Sequence, residues 1–278
     1  MPNPRQLLPG LTLLLPLAVA PPAAAAPDPH VRVLQMNLCN SGHAACWADK
    51  PKAPNQDPAK ETINQAVIKI NDLATKPHAI TLNEICSDDL NGLKERIGFQ
   101  GDSFFQVYKG DKPYECGGGR NGGGIYGSAI LTREPLRKPY STYRFEKLFA
   151  AQYTGSDEQR VMGCRKMPWG TVCTAHTNQL KKGAEYIHRL KVTGEQCVEL
   201  MTEAVAFADG APLIVAGDLN LEWNALAEQE KLRECAVGHT RRSDGGKQHV
   251  ITTKTFVETG VSDMSDWTDH PTFWAKLK

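Results

Sequence analysis

The chain has 278 residues, 41% hydrophobic and 23% charged, the balance of an ordinary soluble globular protein. Its 32 Lys and Arg nearly cancel 31 Asp and Glu, which excludes a strong overall basic field, so any polyanion must be gripped by a local patch. The eight cysteines contain no C-x-x-C pair, which argues against a zinc knuckle.

Residues 1–26 read as a secretory signal. Arg5 is their only charge, 7–20 is apolar and rich in leucine, and 21–26 supplies small residues, so cleavage is expected near Ala25 or Ala26. A membrane anchor is the competing reading, but the apolar run is short and broken by Pro9 and Pro16. No later run is long enough to span a bilayer, so no stable membrane insertion is expected. The remaining chain, with equal numbers of basic and acidic residues, suits one domain, read as a monomer. All eight cysteines follow the leader, and an even count in an exported chain predicts disulfides. Neighbour pairing is the simplest scheme: Cys39–Cys46, Cys86–Cys116, Cys164–Cys173 and Cys197–Cys235.

Along the chain, 31–39 reads as a strand and 40–58 as a polar loop. Ile63, Val67, Ile70 and Leu73 stand at helical spacing within 60–74. A buried strand is expected over 78–85. A helix follows over 87–98, capped by Ser87 or Asp88 and ended by Gly98. Strands are expected at 104–109 and 126–133, separated by a loop with a glycine-rich end that encloses Arg120 and Asn121. Segments 160–164 and 171–175 read as paired strands, 185–208 as a long helix, 213–220 as an apolar strand and 222–232 as a helix. The last strands are expected at 249–254 and 272–276. Strands outnumber helices, which points to two packed sheets with helices outside.

Polar residues stand at several strand ends: Asn37, Glu84, His176, Asp218 with Asn220, and Asp269 with His270. Strand ends are where distant segments converge on one cleft. Their carboxylates and amides are hard oxygen donors suited to Mg2+, Mn2+ or Ca2+, and two histidines can move protons near neutral pH. There is no G-x-S-x-G, no H-E-x-x-H and no G-x-G-x-x-G after a first strand, which disfavours serine hydrolase, zinc protease and dinucleotide chemistry.

The strings QMNL (35–38), LNEI (82–85), GSAILTREP (127–135), TAHT (174–177), VAGDLN (215–220) and TDHPTFWA (268–275) occur in this order. They resemble the ordered motifs of the endonuclease/exonuclease/phosphatase superfamily, the DNase I-like proteins, over 31–278. The resemblance implies an α/β (α+β) fold, a four-layer sandwich of two mixed β-sheets flanked by helices. It implies a metal site at Glu84, supported by Asn37, with Asp269 as a further ligand. It assigns His176, Asp218, Asn220 and His270 to phosphoester chemistry, with Asp218 acting on the attacking water. Arg120 and Arg133 are candidate substrate contacts, although the plain reading of the glycine-rich segment is a surface loop.

One position departs from the pattern. Gln248 stands where the family carries an Asp that orients the final histidine, so Gln248 is expected to hydrogen-bond His270 without balancing its charge; Asp244, Asp263 and Asp266 are the alternatives. The expected activity is a secreted, Mg2+- or Mn2+-dependent phosphodiester hydrolase with nucleic acid as substrate, Ca2+ helping loop stability. A phospholipid phosphodiesterase of the sphingomyelinase kind, a phosphomonoesterase, and a catalytically weak binding or toxin subunit are the alternatives.

Overall fold

The computed structural model describes residues 29–43, 58–117, 123–135, 139–264 and 267–278. The leader, Cys46, Asp266 and the Arg120–Asn121 pair lie outside them.

The first half runs β1 (Val31–Asn37), α1 (Pro58–Asp72), β2 (Ala79–Cys86), α2 (Ser87–Ile97), β3 (Gly101–Gln106), β4 (Tyr108–Lys109), β5 (Lys112–Pro113), β6 (Tyr126–Thr132) and α3 (Tyr140–Tyr143). The second runs β7 (Arg144–Leu148), β8 (Glu158–Gln159), β9 (Val161–Met167), β10 (Gly170–Ala175), α4 (Tyr186–Ala208), β11 (Leu213–Asp218), α5 (Leu226–Cys235), β12 (Thr240–Ser243), β13 (Gln248–Thr252), β14 (Phe256–Ser262) and β15 (Thr272–Leu277).

Among the described residues the strands form two six-stranded sheets, ordered β14-β15-β1-β2-β6-β3 and β12-β13-β11-β10-β9-β7, and a small sheet β5-β4-β8. Each large sheet is mixed. Its central pair, β1–β2 or β10–β11, is parallel, and the neighbours of that pair are antiparallel. The sheets face each other across a core that includes Val33, Ile214, Val250 and Phe273, and laterally Phe105, Ile130, Val161 and Val172. α1 and α2 cover the outer face of the first sheet, packing Ile63, Ile70, Leu90 and Leu93 on Leu34 and Leu82. α4 and α5 cover the second, packing Leu200, Ala204 and Leu232 on Val215 and Ile251. The expected four-layer sandwich is present. Strands buried on both faces need apolar side chains at consecutive positions, which is why β2 (AITL) and β11 (LIVA) read as unbroken apolar runs.

Two glycines set the spacing of these layers. A Cβ on Gly163 would lie 2.2 Å from the Phe105 ring, which inserts from the opposite sheet, and one on Gly217 would lie 2.3 Å from the Ala175 carbonyl oxygen. Gly217 thus lets the end of β11 close on β10 just before Asp218.

The disulfides Cys86–Cys116, Cys164–Cys173 and Cys197–Cys235 match neighbour pairing. They tie the start of α2 to the glycine-rich loop, β9 to β10, and α4 to α5. Cys39 is also disulfide-bonded. Three local expectations change. Ser87 does not cap α2: it is the first helical residue, and its Oγ accepts from the Ile125 N–H instead. α5 begins at Leu226, four residues later than expected, because Glu222 is held in the preceding loop, its N–H donating to Glu228. β7, β12 and β14 were not expected. They lie at sheet edges, have no fully buried residue and carry no apolar run.

Candidate active site

The ends of β1, β2, β10, β11 and the segment before β15 converge on one cleft of about 370 Å3, lined by Glu84, Arg160, His176, Asn220, Asp269 and His270 among others. Glu84 reaches it through a break in β2. The pairing of β2 with β6 shifts between Leu82 and Ile85, and Glu84 has φ 54° inside this bulge. A bulge inserts one residue and re-aims its side chain, and a non-glycine residue there carries strain that surrounding structure must hold. The hold is visible: the Glu84 carbonyl accepts from the Asn40 N–H and the Asn83 carbonyl from the Leu38 N–H, both just beyond β1. Asn220 is likewise strained, at φ 49°, as is Cys39 at φ 47°; the Asn220 N–H donates to Asp218 Oδ1 and its side-chain amide to the Thr177 carbonyl.

Asn37 links the two sheets. Its Oδ1 accepts from the Cys39 N–H, so its amide nitrogen must point the other way. That nitrogen donates to Glu84 Oε1 at 3.2 Å and to Asp218 Oδ2 at 2.9 Å. In this orientation Asn37 clamps two carboxylates and turns its oxygen toward the Cys39 N–H, away from Glu84. Asp218 is fully buried, does not line the cleft, and faces His270 Nε2 at 3.6 Å, while Asp269 Oδ1 lies 3.3 Å from the same nitrogen. Asp218 is therefore placed to hold His270 and not to touch water itself.

Among the described residues Gln248 makes no hydrogen bond to the His270 ring. It is fully buried; its Oε1 accepts from the Asn37 N–H and its side-chain amide donates to the Pro271 carbonyl. It fixes the backbone that follows His270, and the carboxylate facing the imidazole is supplied by Asp218. Asp244 accepts from the Gln248 N–H, so it supports the same turn from behind.

Beneath the cleft lies a polar column that sequence reading missed. Asn83 accepts from the Asp218 N–H at 2.8 Å and from the Gln35 amide at 2.7 Å, and donates to Ser128 Oγ at 2.9 Å. It stitches β2 to β11, fixing the distance between Glu84 and Asp218. Its only mark in the sequence is an amide within an apolar strand.

Arg160 was also missed. It is 8% exposed, lines the cleft, and spends Nη2 on Glu158 at 2.9 Å, while the buried Nη1 has no hydrogen-bond partner among the described residues. A buried guanidinium with an unmet donor in a cleft is built for an anion. Burial pushes the Glu84 carboxyl up to about 7, against the pull of Arg160 and the Asn37 hydrogen bond. Burial, then Arg160, His270 and Lys247, hold His176 well below the ordinary imidazole range, so it is neutral. Its Nδ1 stands 3.7 Å from Glu84 Oε1 without a hydrogen bond. A carboxylate held back from ionisation chiefly by burial is one whose charged form a cation beside it would favour. No three His, Cys, Asp or Glu side chains among the described residues form a ready metal cage. Glu84 with open space before it nevertheless fits Mg2+, which commonly takes one or two carboxylates and completes its shell with water and substrate oxygens.

Arg133 lies elsewhere. It follows β6 at the end where its N–H donates to the His78 carbonyl, before β2 begins, and so at the opposite end of that strand from Glu84. It does not line the cleft. Arg120 lies outside the described residues.

No family model matches the sequence, and no curated protein does. Solved structures do match in fold. An endonuclease/exonuclease/phosphatase from Beutenbergia cavernae aligns over 90% of this chain and 71% of its own, with 16% identity and a TM-score of 0.57. The human Nocturnin catalytic domain, solved with a bound sulfate anion, covers 90% and 93% with 15% identity and a TM-score of 0.58. The chain has the endonuclease/exonuclease/phosphatase fold. Sphingomyelinase C from Streptomyces griseocarneus shares it over 90% of this chain and 100% of its own, with 12% identity and a TM-score of 0.58. Within the fold, the cleft sits where the ends of both sheets meet.

Proposed function

We propose that the chain is a secreted, divalent-metal-dependent phosphodiester hydrolase whose substrate is DNA, with RNA as a secondary one, acting as a monomer. The observation that carries the reading is the convergence of Glu84, His176, Asn220, His270 and the unsatisfied Arg160 in one cleft. Two proteins of this fold support the substrate class: zebrafish (D. rerio) TDP2, complexed with single-strand DNA product, and the sulfate-bound Nocturnin domain. The three disulfides and the leader sequence support export. Among the described residues no helix is long and apolar enough to cross a membrane.

Glu84 would hold Mg2+ or Mn2+, with Asp269 at the rim as a further oxygen donor; Ca2+ would serve loop stability. When bound, the ion neutralises phosphate charge and lowers the pKa of a coordinated water. The chain's own residues do the rest. Arg160 supplies the fixed positive charge beside a non-bridging phosphate oxygen in the cleft. Neutral His176 and the Asn220 amide lie beside that oxygen as hydrogen-bond donors. His270 Nε2 faces Asp218 and Asp269, which favour the tautomer protonated there and leave Nδ1 as the accepting nitrogen for a water proton. Asp218 then balances the imidazolium, the role the sequence pattern had placed at position 248.

The test is incubation with plasmid DNA, RNA and sphingomyelin, with Mg2+ or EDTA, beside Glu84→Ala. Nicking of plasmid that needs Mg2+ and falls by at least about 10²-fold in the variant is expected. Turnover of sphingomyelin without nicking would replace DNA by lipid, and no turnover of any substrate would overturn the enzyme reading.

A further inference from the structure

Several basic side chains on the described surface are neutralised by carboxylates. Lys147 pairs with Glu199 and Glu203, Arg144 with Glu146, Arg189 with Glu185 and Lys231 with Glu234. The cations around Trp223 are not. The Arg241 guanidinium lies 4.0 Å from the centroid of the Trp223 ring and that of Arg233 5.6 Å from it, and neither arginine has an ion pair among the described residues. Trp223 is 37% exposed, unusual for so large an aromatic side chain.

The group is built, not incidental. Arg241 stands on β12 and donates to His249 Nδ1 at 2.9 Å; His249 Nε2 lies 2.7 Å from the Leu221 carbonyl oxygen. That oxygen can only accept, so Nε2 carries the proton and Nδ1 is left to receive from Arg241. The fully buried His249 is thus a neutral relay that fixes one guanidinium against the loop bearing Trp223. Two like charges beside one indole, with no ion pair among the described residues, repel each other in the free protein and are relieved by an anion.

The location says which anion. Trp223 is three residues past Asn220, so the backbone between them spans at most about 11 Å. The cleft and a second cavity of about 590 Å3 share Asn220 and Lys247, and the second cavity extends past Glu222 and Ala225, the neighbours of Trp223. Trp223 therefore follows directly on a residue that lines the second cavity, which shares Asn220 and Lys247 with the Glu84 cleft. Glu228 in that cavity is already engaged, accepting from Tyr186 Oη and the Glu222 N–H. The separation corresponds to roughly three nucleotides at about 3.4 Å of rise each. A single phospholipid headgroup in the cleft does not extend that far, whereas a nucleic-acid strand carries a phosphate at every step.

We infer that the Arg233–Trp223–Arg241 stack is an exosite for the phosphate backbone of a polynucleotide, gripping the strand several nucleotides from the bond cut in the Glu84 cleft. This rests on the phosphodiesterase reading and sharpens it: the preferred substrate is a polymer, and the stack sets affinity without entering the chemistry. An arginine stacked on an indole keeps its N–H edge free for phosphate while its face is held.

The experiment compares the full chain with Arg233→Glu and Trp223→Ala, both at exposed positions, and with Arg241→Ala. Binding of a fluorescein-labelled duplex of about 20 base pairs is followed by anisotropy in EDTA over a range of KCl, a length that spans cleft and stack together. Hydrolysis of bis(p-nitrophenyl) phosphate with Mg2+ is measured in parallel. Arg233→Glu should weaken duplex binding about tenfold and lower the slope of log K against log salt by about one, leaving small-diester hydrolysis unchanged. Unchanged affinity and slope in Arg233→Glu and Trp223→Ala, or no duplex binding by the wild-type chain, would overturn the exosite. Loss of binding to phosphatidylglycerol vesicles with duplex binding intact would also overturn it, in favour of a lipid surface. If the wild-type chain hydrolyses neither the small diester nor plasmid, the cleft reading fails, and the binding series still decides the exosite.

Discussion

The layer between the two sheets contains two kinds of packing. Over most of it Val33, Phe105, Ile130, Val172 and Ile214 meet as apolar side chains with no polar partner to satisfy. Under the cleft the same strands meet through Gln35, Asn83, Ser128, Asn37 and Asp218, all buried and linked by hydrogen bonds from one sheet to the other. Apolar packing tolerates small shifts, since dispersion is non-directional; an amide column fixes relative position, since each bond has its own length and angle. The fold thus draws its stability from one region and the geometry of its site from the other.

Three substitutions or conditions separate these contributions. Phe105→Ala empties the space over Gly163 and should cost about 3–5 kcal/mol in urea unfolding. Activity per folded molecule should be unchanged; a large fall would mean that the apolar region also sets the site.

Acid should act on the polar side. His249 is held neutral, its pKa lowered to about 3 by burial and by Arg241. Its unfolded value is near 6.5, so the unfolded chain takes up the proton first. The stability it contributes is complete above 6.5 and is lost as pH falls toward 3, by up to about 1.4 kcal/mol per pH unit. His176 has the same sign. Glu84, raised to about 7, has the opposite one: without metal, protonation between 7 and about 4.5 favours the folded state. In EDTA the urea midpoint should therefore fall gently from about pH 6.5, where Glu84 offsets one of the two histidines, and more steeply below about 4.5, and His249→Gln should flatten that drop. A midpoint insensitive to pH between about 4.5 and 3 would show that His249 is not buried neutral.

The smallest effect is expected from Asn83→Ala, which leaves the Asp218 N–H and the Gln35 amide without their acceptor. It should cost about 1–3 kcal/mol, less than Phe105→Ala, yet lower nicking per folded molecule because β11 is no longer registered on β2. Equal activity to wild type would show that the column is stability alone.

Several parts of this arrangement were readable in the chain itself. β2 and β11 stood out because a strand covered on both faces must be apolar at every position. Gly98 marked the end of α2 because the chain adopts φ 72° there, which glycine allows without strain. Three disulfides followed from neighbour pairing, although only β9 and β10 are consecutive in the chain. The motif residues Glu84, His176, Asn220 and His270 were legible as polar side chains ending apolar strands. What escaped were edge strands such as β12 and β14, whose exposed side chains dilute the periodicity, and residues whose role comes from partners far away in sequence. Gln248 is the clearest case. Its position in the motif suggested a contact with His270, but its amide is used up by Asn37 and the Pro271 carbonyl.

The order of strands and helices, the burial of the two sheets and the identity of the polar strand ends were set by local pattern, because periodicity and punctuation act over a few residues. Which of those polar groups face the cleft was decided only in three dimensions. The bulge that turns Glu84 inward depends on β6, the donor orientation of Asn37 on Cys39 and two carboxylates, and the open guanidinium of Arg160 on the walls around it. The Arg233–Trp223–Arg241 stack joins a helix, a loop and an edge strand, and hydrogen bonds and charges of this kind depend on distances that the folded chain alone creates.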